Sequence, residues 1–157
     1  MKIYLIMVGK TDAGWIESGI DLFVKRVLHY LPFETIIISD IKRGAKLDEK
    51  ELKKREGEAI LKNISLSDYV VLLDEKGVNY DSVGFSRFIE KKMVGGIKKL
   101  IFVVGGAYGF SPPVYNRADA KVSLSRMTFS HQMARLFFVE QLYRALTIIK
   151  NEKYHNR

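Results

Sequence analysis

The chain has 157 residues, of which 47% are hydrophobic and 28% charged; Lys plus Arg number 26 against 18 Asp plus Glu, a formal charge of +8, and there is no cysteine. This length suits one domain with one core, 1–157, and the composition excludes a disordered chain. The lack of cysteine excludes a disulfide framework, a thiolate nucleophile and a cysteine metal site, while the surplus of positive charge favours a polyanionic partner.

The run 2–8, Lys-Ile-Tyr-Leu-Ile-Met-Val, reads as a buried first strand. It is too short for a membrane span and lacks a signal-peptide cleavage pattern, so a cytoplasmic chain without membrane contact is expected. Gly9-Lys10-Thr11 follows, but a phosphate-binding P-loop needs a glycine where Tyr4 stands. Between 15 and 31, Trp15, Ile16, Ile20, Phe23, Val27 and Leu31 share one helical face and Glu17, Asp21, Lys25 and Arg26 the other, which predicts an amphipathic helix ended by Pro32. The β-branched stretch 34–39 predicts a second strand. The loop 40–47, with Lys42, Arg43 and Lys46 around Gly44, is a candidate RNA contact or an ordinary solvated loop.

A charged helix is expected over 48–63, with Asp48 as N-cap and Glu51 in the capping-box position. Its Glu49/Lys53, Glu51/Arg55 and Glu58/Lys62 pairs place acid before base at four-residue spacing. A third buried strand covers 69–73, followed by the loop Asp74-Glu75-Lys76-Gly77. A helix over 81–94 ends at Gly95-Gly96. The next strand, 100–104, is an unbroken apolar run, as expected of a parallel sheet covered on both faces. It runs straight into Gly105, Gly106 and Gly109. Such a loop at a strand end can meet a polar ligand through its backbone; the same glycines would also serve a tight strand-to-helix turn.

Ser111-Pro112-Pro113 predicts a short helix over 113–118, with the serine as its cap. A short fifth strand at 121–125 follows, and then a long last helix capped by Ser130. The broad apolar band of that helix, Met133, Ala134, Phe137, Phe138, Leu142, Ala145, Leu146 and Ile149, suits a central core helix or a dimer interface. The alternation of strands and helices is that of a parallel α/β sheet.

Five stretches occur in order: Tyr69-Val-Val-Leu-Leu-Asp-Glu-Lys-Gly77, the Val-Gly-Gly-Ala-Tyr-Gly loop at 104–109, Ser123-Leu-Ser-Arg-Met-Thr-Phe-Ser-His131, Glu140-Gln-Leu-Tyr-Arg-Ala145, and the terminal Tyr154-His155. Together they resemble the RlmH family, the large-subunit ribosomal RNA pseudouridine methyltransferases of the SPOUT class, over essentially the whole chain. The resemblance implies a SPOUT-type α/β fold: a mostly parallel sheet with helices on both faces and a C-terminal trefoil knot. General topology rules would instead have given an unknotted sheet.

The resemblance further implies S-adenosylmethionine as methyl donor, no metal, a homodimer, and methylation of a pseudouridine in 23S ribosomal RNA, free or in the ribosome. Leu73, Gly105, Leu124, Ser125, Arg126, Met127, Thr128 and Phe129 are then the expected donor-binding residues. Transfer to a ring nitrogen calls for a base or an anion-stabilising cation. The candidates are His131 and Arg144, with Tyr154 and His155 of the terminal motif. A non-catalytic RNA-binding module on the same fold is the alternative.

Overall fold

A computed structural model describes residues 1–39, 41 and 48–155. The basic segment expected at 40–47 therefore lies, Ile41 apart, outside the described residues. Strands and helices alternate: β1 (Lys2–Val8), α1 (Gly14–Val27), β2 (Phe33–Ile38), α2 (Glu49–Leu61), β3 (Tyr69–Asn79), α3 (Ser82–Val94), β4 (Lys99–Val104), α4 (Pro112–Arg117), β5 (Ala120–Ser123) and α5 (His131–Ile149). The strands form one sheet in the order β2-β1-β4-β3-β5, and every paired neighbour is parallel.

The two-residue period of the strands divides the core into two layers. Ile3, Leu5 and Met7 of β1, Leu100, Phe102 and Val104 of β4 and Val71 of β3 point to the face covered by α1, α3 and α5. Ile6, Val8, Val70, Leu72, Ile101 and Val103 point to the other face, against Ile60 of α2 and Val114 of α4. Burying each such side chain contributes about 1.5–3 kcal/mol, so the two-sided apolar runs that look redundant in the sequence are what hold helices to both faces. The α5 helix sits between α1 and α3. Its Phe138 is fully buried, with its ring 4.6 Å from that of Phe102.

Capping follows the sequence in α2, where the Asp48 carboxylate accepts from Glu51 N at 2.8 Å, and in α5, where the Ser130 hydroxyl accepts from Met133 N at 3.2 Å. The Glu49/Lys53 and Glu51/Arg55 pairs also form.

Three local expectations are corrected. The first helix ends at Val27 rather than near residue 31, passing into a turn in which Tyr30 N bonds Val27 O; Pro32 bars helical geometry at Leu31, and the last turn unwinds before it. Ser111 opens α4 but makes no side-chain cap bond, because Pro112 and Pro113 supply no N–H and Val114 N bonds the Ser111 carbonyl instead. The Asp74-Glu75-Lys76-Gly77 segment is an excursion within β3 rather than its end: Leu73 and Val78 both face Val122, and pairing with β5 resumes after the bulge.

Candidate functional site

Parallel α/β sheets bind ligands beyond the carboxyl ends of their strands, and here the ends of β4 and β5 and the excursion within β3 border a cleft of about 850 Å³. Three separated segments form its walls. Leu73, Asp74, Glu75 and Lys76 come from the β3 excursion, Val104 to Phe110 from the glycine loop, and Ser123, Leu124, Ser125, Met127, Thr128, Phe129, Ser130 and His131 from the turn into α5. Ala134 of α5, Tyr115 of α4, and Glu49 and Lys53 of α2 complete the lining.

Each wall is held locally. In the glycine loop, Gly109 takes φ +78°, which an L side chain rarely adopts, and its N–H donates to Gly106 O at 3.2 Å. Gly106 is bare for a different reason: a Cβ there would lie 2.6 Å from the buried Glu56 carboxylate of α2. In the turn before α5, the Ser125 hydroxyl accepts from Met127 N at 2.9 Å, and the Phe129 ring stacks on Phe137 at 4.6 Å. In the β3 excursion, Asp74 accepts from Lys76 N at 2.8 Å and from the Tyr115 hydroxyl at 2.5 Å, joining two walls. Burial, followed by that bond to Asp74, pushes the Tyr115 phenol up to about 12.

Of the expected donor-binding residues, Leu73, Gly105, Leu124, Ser125, Met127, Thr128 and Phe129 share this cleft; Arg126 is exposed and not among the lining. His131 lines the cleft as the first residue of α5. Arg144, Tyr154 and His155 do not. Arg144 lies 13 residues further along the same helix, roughly 20 Å down its axis from His131.

There Arg144, Tyr154 and His155 form a second cluster around Glu140. One Glu140 oxygen accepts from Arg144 Nε at 3.1 Å, from Arg144 Nη2 at 2.5 Å and from the Tyr154 hydroxyl at 2.9 Å. Arg144 Nη1 lies 3.5 Å from His155 Nδ1, and the guanidinium sits 4.6 Å from the centroid of the Tyr154 ring. Burial and the Glu140 bond raise the Tyr154 pKa, so this phenol keeps its proton. The C-terminal segment is therefore docked through residue 155 rather than frayed.

Sequence reasoning missed Asp74, Tyr115 and Ala134 as cleft residues, and Glu140 as the hub of the second cluster. Asp74 and Glu140 stood inside the quoted motifs. No signal marks Tyr115, which lies on α4 and meets the cleft wall at Asp74. Gly9-Lys10-Thr11 serves the fold: the wholly buried Arg135 donates to Thr11 Oγ1 at 2.9 Å and to Val8 O at 2.5 Å. Among the described residues, no group of three or more His, Asp or Glu side chains could hold a metal, and no helix is long and apolar enough to cross a membrane.

Comparison with known proteins matches residues 1–155 to a family described as "Predicted SPOUT methyltransferase". The chain is 56% identical over 157 residues to "Ribosomal RNA large subunit methyltransferase H" of Christiangramia forsetii, covering 100% of both chains. It is 55% identical to the protein of that name from Parabacteroides distasonis over 156 residues, 99% of each, and 52% identical to that of Flavobacterium johnsoniae over 157 residues, 100% of each.

Proposed function

Because the chain belongs to the SPOUT methyltransferase family, we propose that it transfers a methyl group from S-adenosylmethionine to ring nitrogen three of a pseudouridine in a 23S ribosomal RNA hairpin loop. It acts as a cytoplasmic homodimer and uses no metal. One observation carries the reading: segments 73–76, 104–110 and 123–131 converge on one cleft at the strand ends.

The residues present suit the donor. A cleft of about 850 Å³ is within the range of small-molecule sites. Leu73, Leu124 and Phe129 offer apolar contact, and the turns at Gly105 and at Ser125 to Thr128 offer backbone N–H and C=O groups for an adenine. Arg126 serves at the rim. When bound, the donor supplies an electrophilic methyl group. The chain's contribution is to orient the acceptor, since holding two reactants in line lowers a barrier by as much as ~7–11 kcal/mol, and to ease loss of the ring N–H proton.

His131, at the cleft wall, is a candidate to take that proton. Arg144, with two of its nitrogens fixed by Glu140, is oriented to stabilise the ring anion through its remaining edge. The separation of about 20 Å between these two residues along one helix means that they cannot act on the same base within one chain. In the homodimer, the Arg144, Tyr154 and His155 cluster of one protomer completes the cleft of its partner. Exposed Trp15 and Leu22 of α1 and Phe137 of α5 supply apolar surface for that association. The C-terminal knot belongs to the same proposal.

Radiolabelled methyl transfer to ribosomes, isolated subunits and bare RNA, compared side by side, is the test. Label in a large-subunit pseudouridine supports the reading. Normal RNA affinity without transfer to any substrate would leave an RNA-binding module. His131→Ala and Arg144→Ala should reduce transfer more than donor affinity, and equal losses in both would return these residues to the donor pocket or the fold.

A further inference from the structure

The net charge of +8 has no obvious outlet in the cleft, where Glu49, Asp74 and Glu75 outnumber Lys53 and Lys76. It is concentrated in part where the end of α1, the end of α5 and the C-terminal segment meet. Arg26 and Arg144 stand there over the rings of Tyr143 and Tyr154, against Glu140 and Glu152, and Lys150 and Lys153 follow α5 in the chain. Those two carboxylates are already engaged: Glu140 with Arg144 and Tyr154, and Glu152 with the Tyr30 hydroxyl at 2.5 Å.

Beneath the cations lies a layer of rings. Tyr143 packs edge-on to Tyr154 at 4.6 Å and to Tyr30 at 6.0 Å, and lies 6.0 Å from Phe23. The Arg26 guanidinium sits over this layer, 5.3 Å from the centroid of Phe23 and 5.5 Å from that of Tyr143. No carboxylate among the described residues forms an ion pair with Arg26. A flat cation held on an aromatic platform has reduced side-chain freedom, keeps its N–H edge for a phosphate oxygen and can stack on a base.

We propose that Arg26, seated on Phe23 and Tyr143 beside the Arg144 cluster, is an RNA-contacting residue that grips the single strand flanking the target base. The proposal rests on the methyltransferase reading, which brings the target base to Arg144. If the base meets Arg144, the next nucleotides of a hairpin loop cross the neighbouring surface, and Arg26 is the guanidinium there that no carboxylate among the described residues pairs, whereas Arg144 is held by Glu140. The contact is electrostatic and stacking in character and does not depend on sequence.

The test measures binding of a mixed-sequence single-stranded oligoribonucleotide to the full chain over a range of salt concentrations, using wild type, Arg26→Ala, Arg26→Lys and, as control, Lys54→Ala on the opposite sheet face. Arg26→Ala should weaken binding roughly tenfold and lower the slope of log K against log salt by about one. Arg26→Lys should restore the slope but not the full affinity, because the charge returns without the planar stack. S-adenosylmethionine affinity by calorimetry should stay unchanged throughout. An Arg26→Ala protein with the slope and affinity of wild type, or a Lys54→Ala protein that loses as much, overturns the proposal. Failure of the methyltransferase reading shows separately, as a wild-type protein that transfers no methyl group to ribosomal substrates.

Discussion

Gly77 is where the two walls contributed by β3 and β5 touch. The β3 strand leaves the ladder after Leu73 and rejoins it at Val78, and Gly77 crosses against β5 just before the return. A Cβ at this position would lie 2.5 Å from Val122 N, 2.6 Å from the carbonyl carbon of Lys121 and 2.7 Å from that of Val122. All three are backbone atoms, so no rotamer change relieves the contact and the strands must part. Overpacking of this kind costs about 1–3 kcal/mol, and a disturbed ladder hydrogen bond about 1 kcal/mol. The reduced freedom of alanine in the unfolded chain offsets roughly 0.4–1 kcal/mol. Gly77→Ala should therefore lose about 2 kcal/mol, a fall in Tm of roughly 4–8 °C for a chain of this size. Gly14→Ala is the matched control, since nothing lies within 4 Å of a Cβ there and the residue opens α1; it should equal wild type or gain up to ~1 kcal/mol. Urea and thermal unfolding followed by circular dichroism measure both. Calorimetric titration with S-adenosylmethionine should show weaker binding only for Gly77→Ala, because Leu73 and Leu124 flank the crossing. A Gly77→Ala protein within ~0.5 kcal/mol of wild type would refute the packing argument.

Phe138→Ala empties a fully buried site against Phe102 and should cost about 3–5 kcal/mol in urea unfolding, with a value near 1 pointing to collapse of the site. Asp81→Ala removes the carboxylate that accepts from Gly84 N at 2.6 Å at the start of α3, and should cost about 1 kcal/mol by the same measurement. Alkaline unfolding tests Tyr115. Its phenol keeps its proton up to about 12 when folded, whereas an unfolded tyrosine releases it near ~10. The folded state thus binds the proton more tightly, so this contribution is whole below the unfolded value and is lost as pH rises between the two. Tyr115→Phe should flatten the decline in stability over that window. An unchanged slope would detach Tyr115 from the pH response.

Elements with a clear period were legible to within a few residues: β1, β4, α3 and α5 follow from apolar runs, helical spacing and caps. The β3 excursion was not, because Asp-Glu-Lys-Gly has the composition of a loop and only the register against Val122 reveals its return. Arg135 was equally opaque. A cation in the middle of an apolar band gives no hint that Val8 O and Thr11, over 120 residues away in sequence, will receive it. For the site, the ordered motifs pointed to turns that share the cleft: Gly105 and Leu124 follow β4 and β5, and Leu73 precedes the excursion within β3. That Arg144 lies far from His131 follows from the expected helix, since 13 residues at helical rise span about 20 Å, although the motifs alone record only order. The Glu140–Arg144 pair is written in four-residue spacing, while Tyr154 joins it only through the return of the chain after α5.

Hydrogen exchange with and without S-adenosylmethionine reads the three-turn donor site at first hand, because it reports backbone amides and the proposed site is largely backbone. The donor should slow exchange in 73–76, 104–110 and 124–131 together, in one saturable step, and leave α2 and the sheet interior unchanged. Protection of only one of these segments, or of none at saturating donor, would contradict a single site built from three turns.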